Sequence, residues 1–551
     1  MNIASVVLER ARSEPDATAI FTLGERGATG GPTTATNGAL DRSSDRFAWA
    51  LSQAGIARGT RTALLVRPGL ELFGLMLALF KLGAVPVVID PGIGLRRFGR
   101  CLEEAEPEAF VGIPLAQWAR RVLGWGRSTL RTKVTVGRGP LAPAPRLSSL
   151  AERVPQDEPF PVAPTGDADP AAILFTSGST GPPKGVLYTH GHFAAQIEAV
   201  RALGDIRPGE VDLATFPPFA LFDPALGMTS VVPDMDPTRP GSVDPHAILE
   251  PAERYGATNL FGSPALLDTV APRRAPDGTP RSKQRRVVSA GAPVSADVMR
   301  RFLALLPDDA ELLTPYGATE CLPVSCISSR EVLGETAART AEGEGVCVGQ
   351  PVPSIDVRIL AIDDGPIETI DAARALPEGE IGEITVRGPQ ATACYVGRPK
   401  ATALAKIRGG DGTIWHRMGD VGYRDHHGRI WYCGRKADRV ETTDATFFPS
   451  PCEGVFDAHP AVRRSALVGV PEGDGTLRPA ICVEAEPGTG RAAKKALIAE
   501  LRAMAERHAH TRAITDFLFH PGFPVDIRHN AKIDRPALAR WAARRLGRRA
   551  T

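Results

Sequence analysis

Ten consecutive residues, Thr176-Ser177-Gly178-Ser179-Thr180-Gly181-Pro182-Pro183-Lys184-Gly185, combine small, hydroxylated and glycine positions with a single lysine. Successive small residues let backbone N–H groups converge on an anion, and the hydroxyls and Lys184 add further donors, so the segment reads as a cradle for phosphate. It follows residues 171–175 (AAILF), an apolar run of buried-strand length, whereas a flexible surface linker rarely follows a buried strand. A Walker-type loop needs Gly-Lys and then Ser or Thr; here Pro183 precedes Lys184 and Gly185 follows it, which disfavours a P-loop kinase or ATPase.

Further downstream stand Ser289-Ala290-Gly291-Ala292-Pro293 and Tyr316-Gly317-Ala318-Thr319-Glu320. Next come Trp415-His416-Arg417-Met418-Gly419-Asp420, Gly434-Arg435, and Asn530-Ala531-Lys532-Ile533-Asp534-Arg535. Any one of these could be chance, but six in this order span nearly the whole chain. With this series the chain resembles the adenylate-forming superfamily of acyl-CoA synthetases, firefly luciferase and peptide-synthetase adenylation domains.

The resemblance implies ATP and Mg²⁺ as cofactors and assigns roles to residues. Thr176, Ser177, Gly178, Ser179, Thr180, Gly181 and Lys184 would hold the phosphates. Gly291, Ala292 and Pro293 would let backbone approach the adenine edge, while Tyr316, beside Gly317, would stack on the ring. Thr319 would hydrogen-bond a phosphate, and Glu320 would hold Mg²⁺ through a hard carboxylate oxygen. Asp420 would accept from both ribose hydroxyls, and Arg435 would reach the ribose or phosphate. Lys532 would neutralise charge at the α-phosphate and the substrate carboxylate. The catalytic set is thus Lys532, Glu320 and Thr319, acting by positioning and charge stabilisation as a carboxylate attacks the α-phosphate.

The second step of the superfamily depends on the acyl acceptor. Coenzyme-A-forming members usually follow Gly-Arg-x-x-Asp with a glycine-containing loop. Here Glu441-Thr442-Thr443-Asp444-Ala445-Thr446-Phe447-Phe448-Pro449 contains none, and Ala437 stands where the hinge usually carries Asp or Lys. In the acyl-pocket segment 216–223, related ligases often carry a His that Ala220 and Leu221 do not replace. Phe219, Leu221, Phe222 and Met228 suit an alkyl chain, with no charge among them to read an α-amine. Segments 216–234 and 314–323 are most similar to the β-lactone synthetase branch associated with bacterial long-chain olefin biosynthesis. That implies a long-chain 2-alkyl-3-hydroxy acid whose 3-hydroxyl attacks the adenylate intramolecularly. A fatty acyl-CoA ligase or fatty acyl-AMP ligase is the alternative. His416 and His190 are the candidates for a base at the 3-hydroxyl.

These residues need elements to position them. Residues 62–66 and 85–89 read as buried strands around a helix over 72–82, and the alternation recurs at 171–175, 192–203, 245–255, 258–261 and 264–270. Residues 355–360 and 383–387 alternate apolar with polar, as half-exposed antiparallel strands do. After Gly434, strands at 466–470 and 480–484 precede a helix with Leu497, Leu501 and Met504 on one face. The expected fold is α/β: a large N-terminal domain of mixed sheets flanked by helices plus a small antiparallel β-structure (1–434), then a smaller, mobile α+β C-terminal domain (435–551). A length of 551 residues fits this division.

A net charge of +2 gives no basic field for nucleic acid. Eight cysteines with no C-x-x-C pair fit a reduced cytoplasmic protein, and His190-Gly191-His192 lacks the second ligand cluster that a metal site needs. No apolar stretch reaches the roughly 20 residues that span a bilayer; residues 72–88 are interrupted by Lys81 and Gly83. The Arg-rich run 540–549 reads as the solvated face of a last helix. The expected partner is a small fatty-acid-like substrate, and the olefin branch implies assembly with a thiolase and a β-lactone decarboxylase. Replacing Lys532 by Ala is expected to slow adenylation by roughly 10²–10³-fold, as for loss of one preorganised donor; a near-wild-type rate of acid-dependent ATP–pyrophosphate exchange would remove it from the catalytic set.

Overall fold

The computed structural model describes residues 1–24, 32–137, 139, 143–175, 182–216, 220–271, 283–472, 475–525 and 533–550. The phosphate segment 176–181, Phe219 and Lys532 lie outside the described residues.

Strand–helix alternation in the first third builds a six-stranded sheet, ordered Thr132–Thr135, Ala109–Gly112, Arg61–Leu65, Val85–Val88, Pro170–Phe175 and Gly185–Thr189. All neighbours run parallel except the last pair, in which Gly185–Thr189 returns antiparallel to Pro170–Phe175. The expected helix over 72–82 forms as Leu70–Leu82 and ends on Gly83 in the left-handed region. Lys81, which breaks its apolar run, is buried, with its Nζ 2.5 Å from Asp41 Oδ1 and 2.5 Å from Asp45 Oδ1. An ammonium there is tolerated because two carboxylates of the helix Asn37–Gln53 replace its water.

A second, 14-stranded sheet changes character along its width. Its parallel half contains Val211–Ala214, Asn259–Phe261, Arg286–Val288 and Glu311–Ala318. From Cys321–Ser328 onward the neighbours are antiparallel, through Val346–Pro351, Ile430–Arg435, Ile414–Arg424, Gly382–Arg387 and Asp356–Leu360. The switch from parallel to antiparallel occurs at the hairpin whose turn is Thr319-Glu320.

Among the described residues beyond 440, Val462–Pro471, Leu477–Ala485 and Asp516–Phe519 form a separate three-stranded sheet. Helices Pro449–Asp457 and Arg491–Arg507 bury Val455, Phe456, Leu497 and Leu501 on one face. The last helix, Arg535–Ala550, packs Leu538, Ala542 and Leu546 on Ala466, Val468 and Val470, leaving Arg540, Arg544 and Arg545 exposed. No helix among the described residues is long and apolar enough to cross a membrane. All eight cysteines are free, and six of them are buried.

Two buried carboxyls stand under the parallel half. Asp212 lies on Val211–Ala214, and Asp223 starts a short helix, its Oδ2 accepting from Ser230 Oγ at 2.5 Å. Burial pushes both upward, and the charge of Asp212 raises Asp223 further. A native carboxyl above its unfolded value holds a proton that the unfolded chain releases. Stability is therefore full at acid pH, falls as pH rises through the native value, and is flat beyond it. Asn at 223 keeps the acceptor for Ser230 and removes the charge. Asp223→Asn is expected to abolish part of the wild-type decline in melting temperature between pH 5 and 8, by roughly 2–4 °C per kcal/mol relieved. Calorimetry across that range checks this, and an unchanged decline would contradict it.

Candidate active site

A continuous cavity of 1380 Å³ opens between the two large sheets and the connection to the C-terminal unit. Its two ends differ in chemistry. The inner part is walled by Leu72, Phe73, Met76, Phe80, Phe193 and Ile197, together with the predicted Leu221 and Phe222. The other end gathers Lys184, Gly291, Gly317, Thr319, Glu320 and Arg435. Residues far apart in sequence, such as Lys184, Glu320 and Arg435, thus share one space because the strand switch brings both sheets to it.

Strands Glu311–Ala318 and Cys321–Ser328 pair up to Ala318 opposite Cys321, so Thr319 and Glu320 form the two-residue turn at the tip. Its backbone is held from two sides. The Tyr188 hydroxyl donates to the Thr319 carbonyl, and Thr392 donates to the Glu320 carbonyl through N at 2.9 Å and Oγ1 at 3.0 Å. Gly317 is required below it, since a Cβ there would lie 2.7 Å from the Cys321 carbonyl oxygen. Gly291, at φ +96°, brings its backbone to the cavity in a conformation that side chains avoid.

Tyr395 donates from its hydroxyl to Glu320 Oε1 at 2.6 Å, and Lys184 Nζ sits 4.8 Å from the same ring's centre. The bridge Val186↔Tyr395 and the bond from Val396 N to Gly185 O (2.8 Å) bring these residues together. Arg398 braces the loop base: its Nε donates to Glu104 Oε2 at 2.7 Å and its Nη2 to the Pro183 carbonyl at 3.1 Å. Lys406, buried and pushed down to about 8 chiefly by that burial, donates to the Thr392 carbonyl and stands over the Tyr395 ring. Tyr395, Lys406, Arg398 and Glu104 were not foreseen from the sequence. The available signal was a lone Lys inside an otherwise apolar strand approach at 404–407; the others are surface-like residues until folded.

Asp420 and Arg435 face each other across neighbouring strands, with Arg435 Nη1 3.0 Å from Asp420 Oδ1. The Tyr316 hydroxyl donates to Asp420 Oδ2 at 2.6 Å. Tyr316 is thereby a partner of the carboxylate, between Pro315 and Gly317, which line the cavity. Ala292 and Pro293 lie off the cavity wall, beyond the turn at Gly291. Met228 is buried in core at the start of Thr229–Val232, its sulfur 3.7 Å from Asn259 Nδ2, and does not belong to the alkyl wall.

The two histidines raised as bases differ in place. His190 accepts from Ile3 N at 3.2 Å beside the chain start, off the cavity, and burial pushes it down to about 4. His416 borders the cavity, its Nδ1 3.1 Å from the Ala405 carbonyl and its Nε2 buried without a hydrogen-bond partner. Burial, then Lys406, holds it neutral, well below its ordinary value. Nε2 of each ring is buried without a hydrogen-bond partner, and of the two rings His416 is the one at the cavity.

Among the described residues no group of three or more His, Cys, Asp or Glu could hold a metal by itself. A hard cation at Glu320 would take its other ligands from phosphate oxygens and water, which suits one carboxylate beside Lys184 and Thr319.

Close to Lys532, Ile533 bridges to Val525 and Asp534 N donates to the Pro524 carbonyl at 2.8 Å. Arg535 then binds Glu453, at 2.5 and 3.0 Å, and reaches Asp438 at 3.4 Å. The segment after Lys532 is thus fastened next to the connection that follows Arg435.

Residues 7–396 match the AMP-binding enzyme family. The chain is 51% identical over 549 residues to an olefin β-lactone synthetase of Xanthomonas campestris pv. campestris, covering 98% of this chain and 97% of that protein. It is 50% identical over 557 residues to the olefin β-lactone synthetase of Stenotrophomonas maltophilia, covering 100% and 99%. In fold it is similar to the amide bond synthetase McbA from Marinactinospora thermotolerans, with a TM-score of 0.79, 24% identity, and 98% and 99% of the two chains covered. ATP-bound MatB from Rhodopseudomonas palustris gives a TM-score of 0.78 at 22% identity over 98% and 99%.

Tyr395→Phe keeps the ring beneath Lys184 and removes the bond to Glu320. The variant is expected to lose about tenfold in ATP–pyrophosphate exchange and to need more divalent cation, as when the partner of a ligand is removed. Titration of exchange against Mg²⁺ checks this; an unaltered requirement would show that Tyr395 does not orient Glu320.

Proposed function

Since the chain belongs to the AMP-binding enzyme family, we propose that it activates a long-chain 2-alkyl-3-hydroxy carboxylic acid with ATP and closes the adenylate to a β-lactone, in long-chain olefin biosynthesis. The observation that carries the reading is half identity, over essentially the full length, to two olefin β-lactone synthetases. An apolar chamber that runs into a cluster of Lys184, Thr319, Glu320 and Arg435 supports it, because an acid with alkyl chains and a nucleotide must share one site.

In the first half-reaction the substrate carboxylate oxygen attacks the α-phosphorus, the bond to the bridging oxygen breaks, and pyrophosphate leaves. Thr176 to Gly181, Lys184 and Thr319 hold the phosphates, and Glu320 holds Mg²⁺ with Tyr395 fixing its orientation. The Mg²⁺ supplies charge neutralisation for the phosphates. Asp420, oriented by Tyr316 and Arg435, receives the ribose. Lys532 would neutralise charge at the α-phosphate when the C-terminal domain (435–551) closes on the N-terminal one (1–434). In the second half-reaction the 3-hydroxyl oxygen bonds to the acyl carbon, the acyl–phosphate bond breaks, AMP departs and the hydroxyl proton is released. The high-energy anhydride supplies the strain of the four-membered ring.

An internal nucleophile needs no thiol channel. In keeping with that, residues 440–447 form a closed hairpin, Val440–Glu441 against Thr446–Phe447. Its turn is filled by Thr442, whose N donates to the Ala445 carbonyl at 2.9 Å and whose Oγ1 accepts from Ala445 N at 3.0 Å. The protein works in the cytoplasm beside a thiolase that supplies the carbon skeleton and a decarboxylase that consumes the lactone.

The test is NMR analysis of products from the enzyme with ATP, Mg²⁺ and a synthetic 2-alkyl-3-hydroxy acid, with and without coenzyme A. A β-lactone and AMP without thiol are expected. A thioester formed only with coenzyme A would make the protein a fatty acyl-CoA ligase and overturn the lactone reading alone.

A further inference from the structure

The chamber's opening is bordered by a surface that an ordinary soluble protein does not show. The helix Pro114–Leu123 leaves Leu115 at 74%, Trp118 at 41%, Val122 at 75% and Leu123 at 49% exposure. Spacings of three and four residues put Leu115, Trp118 and Val122 on one outward stripe, with Leu123 to its side. Leu95, at the start of Leu95–Ala105, is 62% exposed. Among the described residues these are five of the eight large hydrophobic side chains that stand exposed. The first helix meets the segment that follows the second through Phe98 and Trp125, whose rings are 4.8 Å apart. Leu95 and Leu115 also line the cavity, so exposed apolar surface continues from solvent into the alkyl wall.

The charges around the stripe have one sign. Arg96, Arg97 and Arg100 are exposed on the first helix, and Arg121 and Arg127 flank the second. Arg121 lies 6.0 Å from the Trp118 ring. The acids of this stretch are Asp90, before the first helix, whose Oδ1 accepts from Gly92 N at 2.7 Å, and those toward the helix's far end and beyond it, where Glu104 is held by Arg398. Aromatic and aliphatic side chains ringed by arginine match the interface of an anionic bilayer, with rings and alkyl groups at the acyl boundary and guanidinium groups at phosphate level. A second copy of this chain would set arginine against arginine, which opposes a self-contact.

We propose that the face formed by the first turn of Leu95–Ala105 and the outer side of Pro114–Leu123 docks on an anionic lipid surface, and that the chamber loads its substrate from there. The purpose rests on the reading of the substrate as a long-chain acid, which has almost no solubility in water; the docking itself does not.

The test is co-sedimentation of the full chain with phosphatidylcholine vesicles and with vesicles of equal phosphatidylcholine and phosphatidylglycerol. Binding to the anionic vesicles, weak binding to the neutral ones, and release by salt are expected. Trp118→Gln/Val122→Gln changes two exposed positions off the cavity wall and is expected to weaken binding by about tenfold or more, with pyrophosphate exchange on a short, soluble 3-hydroxy acid unchanged. Absence of sedimentation with either vesicle, or wild-type binding by the double variant, would overturn the proposal. So would a wild-type dimer that the double variant dissociates, or retention only by a protein partner. Vesicle binding without any lactone product would leave docking in place and defeat the functional reading; lactone formation without vesicle binding would do the reverse.

Discussion

The site depends on fixing the backbone of one two-residue turn. Thr319 and Glu320 lie where the large sheet passes from parallel to antiparallel, and such a turn has carbonyl oxygens that the ladder does not use. Both are satisfied from elsewhere, by Tyr188 and by Thr392, and Thr392 is in turn gripped by buried Lys406. A turn held in this way can present a carboxylate at a defined angle, whereas a free hairpin tip would not. Tyr395 then selects one of the two Glu320 oxygens. The six-stranded sheet, the large sheet and the segment 392–406 therefore meet at a single polar junction, with Lys184 supplied by the neighbouring loop.

Much of this was legible in the sequence. Residues 62–66, 85–89 and 171–175 form strands as Arg61–Leu65, Val85–Val88 and Pro170–Phe175, and 383–387 as Gly382–Arg387, because apolar or alternating runs of four to six residues are too short for a buried helix. Lys184, Gly291, Gly317, Thr319, Glu320 and Arg435 come to one cavity as their motifs imply. What the sequence left hidden was long-range. Glu104 and Arg398 are separated by 294 positions, and no local pattern announces that they meet. Met228 shows why apolar type alone misleads: like Leu221 it is hydrophobic, yet it is buried just before the strand Thr229–Val232, its sulfur against Asn259. The bond from the Tyr316 hydroxyl to Asp420, 104 positions away, was equally invisible to local pattern.

The connection between the two parts of the chain is electrostatic. Arg435 is tied to Asp420 on the large sheet, and three residues later Asp438 meets Arg535, which also holds Glu453. Burial of this arginine is tolerated because two carboxylates and the Leu467 carbonyl surround it. One end of the Lys532 segment is thus pinned to the same few residues that leave the nucleotide end of the cavity.

The cysteines acquire a meaning from the product. A β-lactone is a strained acylating agent that opens on thiolates, so an enzyme releasing it is exposed to self-inactivation at its own exit. None of the residues lining the chamber is a cysteine. Burial pushes Cys101, Cys321, Cys326 and Cys482 up to about 12, and Cys347 to about 11, so the nucleophilic thiolate is scarce at neutral pH. The packing that merely fills space in the sheets also makes these thiols poor targets for the electrophile the chain is proposed to make.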